Sequence, residues 1–192
     1  MQNEHVVFAL VVAAVAVVLV VALLVAQKRS RQRSGALRDQ FGPEYERALT
    51  QHGDRSKAER ELLSRRNRLD ELDIHALSDA QADQFSAEWA TVQQRFVDDP
   101  TGAVNEADRL IKDVMKARGY PVGNFDQRVA DLSVDHANVV EHYRAARTLA
   151  RAREEGQVGT EDLRQAMVHY RALFSDLLRT PHVATSLQHA HA

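Results

Sequence analysis

Cysteine is absent from the 192 residues, which excludes disulfide bridges, thiolate metal centres and cysteine nucleophiles at the outset. Glycine-rich phosphate loops, a G-x-S-x-G elbow and an H-E-x-x-H motif are missing as well. There are four prolines, and they fall between segments of helical periodicity rather than within them. Polar and apolar residues nowhere alternate over a useful length, and no internal repeat occurs, so the fold class expected is all-α. Neither sign of charge dominates: 25 Lys and Arg stand against 27 Asp and Glu.

The first segment lacks polar residues altogether. Val6 to Ala26 reads VVFALVVAAVAVVLVVALLVA, 21 residues without a charge. As a helix it is about 31 Å long, which matches a bilayer core of roughly 30 Å. Ten valines are a weak handicap to a helix, overridden in hydrocarbon because a helix satisfies every backbone amide internally. The start MQNEH holds Glu4 and no Lys or Arg, and Leu23 to Gln27 lacks an A-x-A pattern. An uncleaved transmembrane helix is therefore expected rather than a signal peptide. Lys28, Arg29, Arg31 and Arg33 follow directly, and only His5 is basic before the run. The positive side stays inside, which predicts a single-pass protein of the inner (cytoplasmic) membrane, N-terminus out and residues 27–192 cytoplasmic. Topology alone accounts for the four basic residues; contact with anionic lipid headgroups is the further reading they allow. Ala9/Ala13 and Ala22/Ala26 have the small-xxx-small spacing that lets two spans pack, so a homo-oligomer stays open, although such pairs also arise by chance here.

Behind the anchor the charge is unevenly spread. Residues 1–72 hold 12 basic and 9 acidic side chains, and residues 73–192 hold 13 and 18. An anionic leaflet favours that arrangement, whereas nucleic acid, which demands a positive face, is not an expected partner. Four regions are expected: an anchor (1–29), a charged helical connector (30–77), a compact helical bundle (78–180) and a flexible tail (181–192).

In the connector, residues 27–40 continue as a frayed helix with a soft point at Ser34-Gly35. Gly42-Pro43 opens a short helix to about Gln51, with Phe41, Tyr45 and Leu49 apolar, and Gly53 stops it. Asp54 caps the next helix, Arg55 to about Leu72, whose stripe of Ala58, Leu62, Leu69 and Leu72 is narrow. That suits a stalk or coiled-coil partner better than a core element. Glu61/Arg65 is an i,i+4 pair in the favourable order.

The bundle starts at a capping box, Ser78 to Gln81, followed by Phe85, Trp89, Val92 and Phe96 at helical steps. Asp99-Pro100 opens a helix with Val104, Ala107, Leu110, Ile111, Val114 and Met115 on one side, ended by Gly119 and Pro121. Asn124 caps a short helix through Phe125, Val129 and Leu132. Another helix opens near Ser133 to Asp135 and runs to about Arg153, with Val139, Tyr143, Ala146 and Ala150 inward and Val140 and Leu149 flanking; Glu154 to Gly156 ends it. The last helix, Glu161 to Leu178, has the clearest stripe, Leu163 to Leu178.

Asp131, Asp135, His136, Glu141 and His142 lie within twelve residues, the densest group of titratable chemistry. A helix turns His136 and His142 about 240° apart, so they do not share a face as an i,i+4 metal pair does. Asp135 and His136 suit capping positions. Tyr170 belongs to the core stripe, and Trp89, Phe85 and Phe96 read as core rather than a ligand groove. His182, His189 and His191 lie in a tail with nothing to fix their geometry. No catalytic, cofactor-binding or metal-ligating residue is expected, and the protein is not expected to be an enzyme.

Four segments, LRDQFGPEYERAL (37–49), AEWATVQQRFVDDPTGAVNEADRLIKDVMKARGYPV (87–122), DQRVADLSVDH (126–136) and TEDLRQAMVHYRALFSDLL (160–178), resemble a family of uncharacterised small bacterial membrane-anchored proteins. The resemblance implies one N-terminal span, a charged connector and a C-terminal helical domain, and it brings no activity or cofactor. The expected function is a membrane-tethered cytoplasmic interaction module, an adaptor or scaffold for a protein partner; the alternative is a helical domain that binds a lipid or small amphiphile.

Overall fold

The computed structural model describes the backbone of residues 2–154 and 159–179, with side chains for 18–152 and 159–179. Among the described residues eight α-helices and no strands occur: α1 Gln2–Phe41, α2 Pro43–His52, α3 Arg55–Asp70, α4 Asp79–Arg95, α5 Pro100–Ala117, α6 Phe125–Asp135, α7 Ala137–Glu154 and α8 Thr160–Arg179. The chain is all-helical, and it divides into two compact units between Asp39 and Gln40.

The first unit contains helix α1 as far as Asp39. It is unbroken at Ser34-Gly35, the expected soft point, where the Ser34 hydroxyl donates to the Ser30 carbonyl at 3.0 Å. Such i−4 back-bonding satisfies the serine within the helix. Val18 to Val21 and Leu23 to Val25 are exposed. Among the described residues no helix is long and apolar enough to cross a membrane, and residues 6–17 of the apolar run lie outside the described side chains.

In the second unit the punctuation residues act as their chemistry dictates. Gly53 takes the left-handed conformation (φ 63°) after α2, and Asp54 accepts from Lys57 N at 2.8 Å to open α3. The Ser78–Gln81 capping box is complete, Asp99 accepts from Gly102 N at 2.8 Å, and Asn124 accepts from Gln127 N at 2.9 Å. All six apolar positions expected for α5 are buried. Helices α7 and α8 pack on each other, α5 packs on α8, α4 on α5 and α6 on α7. The expected helix stop at Gly156 and the tail 181–192 lie outside the described residues.

Three differences from the sequence reading have physical causes. The segment expected as a connector does not stand apart from residue 40 onward. Helix α3 packs on α2 and α6, and Ala58, Leu62 and Leu69 are fully buried. Its apolar stripe is narrow because ion pairs, described below, hold the remaining inward face. Secondly, α6 runs to Asp135, so the break falls at His136, whose carbonyl accepts from Val139 N and Val140 N to begin α7. With that register Val140 is buried and Val139 only half-buried. Thirdly, Phe85 and Phe96 are half-buried, so Trp89 and Val92 alone form the inner face of α4.

The loop between α3 and α4 is clamped by the end of α5. His75 N donates to the Arg118 carbonyl at 3.0 Å, and Gly119 (φ 90°) lies so close that an added Cβ would come within 2.2 Å of the Asp73 carbonyl oxygen. Gly119→Ala should therefore lose about 2–4 kcal/mol, combining left-handed strain with a backbone clash. Gly53→Ala, with no atom near its Cβ, should lose only about 1 kcal/mol. Urea denaturation of the full chain followed by far-UV circular dichroism checks the difference.

Candidate functional site

Lys28, Arg29, Arg31 and Arg33 are all exposed on α1. At 100° per residue they point to three sides of the helix within about 8 Å of its length, forming a collar rather than a stripe. None has an ion-pair partner among the described residues, so the collar's charge is available to an external anion.

In the second unit, charge is turned inward and tied. Glu44, 1% exposed, receives Arg144 through both terminal nitrogens, with Arg65 Nη1 and Arg47 Nε each at 3.5 Å. Glu141 takes Arg47 at 3.0 and 2.7 Å and Arg144 at 2.6 Å. Asp131, fully buried, is held by Arg68 at 3.1 and 2.6 Å and by Gln127 at 3.0 Å. These ties join α2, α3, α6 and α7. A carboxylate is stable at such depth only when paired and hydrogen-bonded, which is why Arg65 and Arg68 of α3 reach inward.

A second polar cluster surrounds His136. Its Nδ1 lies 2.6 Å from Asp176 Oδ2, and its Nε2 lies 3.3 Å from both Arg118 Nη1 and the Tyr120 hydroxyl. Arg118, fully buried, also donates to the carbonyls of Leu177 (2.9 Å) and His75 (3.2 Å). The Asp–His–hydroxyl order suggests a nucleophile relay, but the chemistry is wrong for one. Arg118 has only hydrogens to offer, so it occupies the His136 nitrogen that a relay needs as a base. Burial, then the nearby Asp135 charge, drives the Tyr120 phenol far above its ordinary pKa, and its hydroxyl lies 3.0 Å from Asp135. Tyr120 and His136 are 3% and 2% exposed, which shuts out a substrate. The cluster is a lock between the ends of α5, α6 and α8.

The third cluster is built on Asp108, which accepts from Tyr170 at 3.2 Å and Tyr143 at 3.5 Å and pairs with Lys112 at 2.7 Å. Burial, then the Asp108 charge, pushes the Tyr143 phenol up to about 12. Both tyrosines thus stay protonated donors, and Tyr170 is a core residue as its stripe position implies.

The five residues of the 131–142 group are therefore committed to different partners. Asp131 meets Arg68, Asp135 meets Tyr120, His136 meets Asp176 and Arg118, and Glu141 meets Arg47 and Arg144. His142 meets His169 on α8, Nδ1 to Nδ1 at 2.8 Å. Asp135 and His136 do not cap a helix N-terminus through their side chains as expected, because the helix break lies one residue later and Tyr120 and Asp176 claim them. Sequence reasoning missed Arg118, which at a helix end before Gly119 looks like a solvated C-terminal cation.

Between α4 and α8 lies a cavity of about 140 Å³, lined by Gln93, Phe96, Arg164, Met167, Val168 and Arg171. Trp89 stacks on Phe174 at 4.7 Å beneath the surface, 6% exposed. Compared with known protein families, curated proteins and solved structures, the chain matches none.

Two outcomes follow from this electrostatic arrangement. Glu44→Gln leaves Arg144 and Arg65 against a neutral amide and should cost about 3–5 kcal/mol in chemical denaturation, whereas Glu161→Gln breaks an exposed, solvent-screened pair with Arg164 and should leave the denaturation midpoint nearly unchanged. Burial, then the neighbouring His142, holds His169 below the ordinary histidine range. The unfolded chain therefore binds its proton first as pH falls, so stability drops once pH passes below about 6.5 and toward the lowered folded value. The unfolding temperature measured from pH 7.5 to 5.5 should fall less steeply in His169→Gln than in the unmodified chain.

Proposed function

We propose that the protein is a non-enzymatic, membrane-tethered helical interaction module, an adaptor or scaffold for a protein partner on the cytoplasmic face of a bacterial inner membrane. One observation carries the tether: seven large apolar side chains of α1, Val18 to Val21 and Leu23 to Val25, stand 44–67% exposed. Leaving such a continuous apolar surface in water forfeits about 25 cal/mol for every Å² that a bilayer would cover. Val6 to Ala26 then forms the single span, with the N-terminus outside. The collar Lys28, Arg29, Arg31 and Arg33 lies at the inner headgroup level, worth about 1 kcal/mol per basic residue on an anionic leaflet. This is also the architecture of the bacterial membrane-anchored family that the chain resembles, and membership of that family is part of the proposal.

The adaptor reading rests on how the second unit uses its reactive groups. Its buried carboxylates, phenols and His136 hold one another, as described for the clusters around Glu44, Asp131, Asp108 and His136. The alternative, a lipid- or amphiphile-binding domain, calls for an apolar cavity of several hundred Å³. The α4–α8 cavity holds only about 140 Å³ with two arginines on its wall, and the larger groove on α3, about 480 Å³, is lined by Arg60, Arg68, Glu71, Ser64 and Asn67 around the one apolar residue Leu63, which ranks that reading second.

A reporter fused after Ala192 should be active only as a cytoplasmic reporter. Replacing all four collar residues by Gln should shift part of the population to the opposite orientation, since the positive-inside bias then vanishes. Periplasmic activity of the unmodified fusion would overturn the proposal. Crosslinking in intact membranes followed by mass spectrometry tests the adaptor role: a reproducible protein partner supports it, and a crosslinked lipid inside the helical unit favours the alternative.

A further inference from the structure

His142 and His169 serve none of the polar clusters that lock the second unit. They face each other across the seam between α7 and α8, both half-buried, with Nδ1 atoms 2.8 Å apart, ring centroids 5.1 Å apart and planes tilted by 35°. Two imidazole nitrogens aimed at one another share at most one hydrogen. One ring must carry it on Nδ1, and the other presents its lone pair. That contact is modest for two rings held so close.

A cation that binds nitrogen replaces the shared hydrogen with two strong bonds. At a metal–nitrogen distance of about 2.0–2.1 Å, tetrahedral geometry sets two imidazole nitrogens about 3.3 Å apart. The pair needs to open by only about half an ångström, a small side-chain rotation at a half-exposed seam. The ring that carried its hydrogen on Nδ1 gives that proton to water and takes one from water on Nε2, so both rings end as the Nε2–H tautomer with no net change in protonation, no redox change, and water released from the ion. Bundles build metal sites in this manner, from side chains on facing helices.

We infer that His142 and His169 form a two-histidine site for a divalent transition cation of the zinc, nickel and copper class, stapling α7 to α8. The donor set is nitrogen only, which excludes magnesium and calcium, ions that demand oxygen. Among the described residues no third His, Cys, Asp or Glu completes a group, so the site is open and water fills the remaining positions. The inference is independent of the membrane tether.

Linkage separates this site from the histidines at positions 182, 189 and 191. A cation that binds only the folded chain raises the unfolding temperature, whereas one held by a local sequence binds folded and unfolded chains alike and shifts nothing. The full chain, stripped with a chelator, is melted with and without zinc chloride, and with magnesium chloride as control. Zinc should raise the unfolding temperature by several degrees and magnesium should leave it unchanged. The zinc shift should disappear in His142→Gln and in His169→Gln, and persist when His182, His189 and His191 are all replaced by Gln. Should either seam variant fail to fold, copper(II) electron paramagnetic resonance of the chain with the three later histidines replaced provides the second readout: coupling to two imidazole nitrogens is expected. No zinc shift, a shift that survives in a folded seam variant, or copper coupled to fewer than two nitrogens overturns the inference.

Discussion

Two carboxylates that cannot remain buried alone govern the second unit. Glu44 and Asp131 are 1% and 0% exposed, and an unpaired carboxylate at that depth costs several kcal/mol. Arg144, Arg65 and Arg47 answer the first, and Arg68 answers the second. Because these partners come from α2, α3, α6 and α7, the pairing requirement dictates which helices meet. It is also why a helix as charged as α3 lies in a core. Its three buried apolar residues occupy one narrow strip, and the stems of Arg65 and Arg68 beside that strip add apolar cover while their guanidinium heads reach the acids.

Pairing at this depth has a chemical consequence. Groups that would act as bases or nucleophiles in an open cleft are consumed by each other. Tyr120 and Tyr170 are driven far up by burial first and by Asp135 and Asp108 second, so they remain donors across the whole physiological range. His136 is enclosed by Asp176, Arg118 and Tyr120. The same residue types that signal an active site serve here to fasten helix ends. Outside these clusters, the basic side chains of the collar on α1 are exposed and the seam of His142 and His169 is half-buried.

Much of the helical layout was legible from the residues in order. The caps Asp54, Ser78, Asp99 and Asn124 and the stops Gly53 and Gly119 act within a turn of where they stand, so a local reading suffices. The stripe of α8 likewise follows from spacing alone, since one helix face needs no knowledge of its partner to be apolar. On α7, Tyr143, Ala146 and Ala150 are buried as their spacing implies, and only Val139 yields its place to Val140, because the two are chemically alike and only the packing chooses between them. Arg118 went unnoticed for a related reason: a cation at a helix end is ordinarily solvated, and nothing nearby in sequence tells of Leu177 or His136.

The sequence alone therefore determined what depends on neighbours within a few residues: the helices, their caps and their stops. Tertiary structure alone decided which charges go inside and whom they meet. Arg144 and Glu44 are separated by 100 positions, Arg68 and Asp131 by 63, and His142 and His169 by 27. Local periodicity carries no information over such distances, whereas the free energy of a buried charge depends on the one partner that the fold brings within about 3 Å.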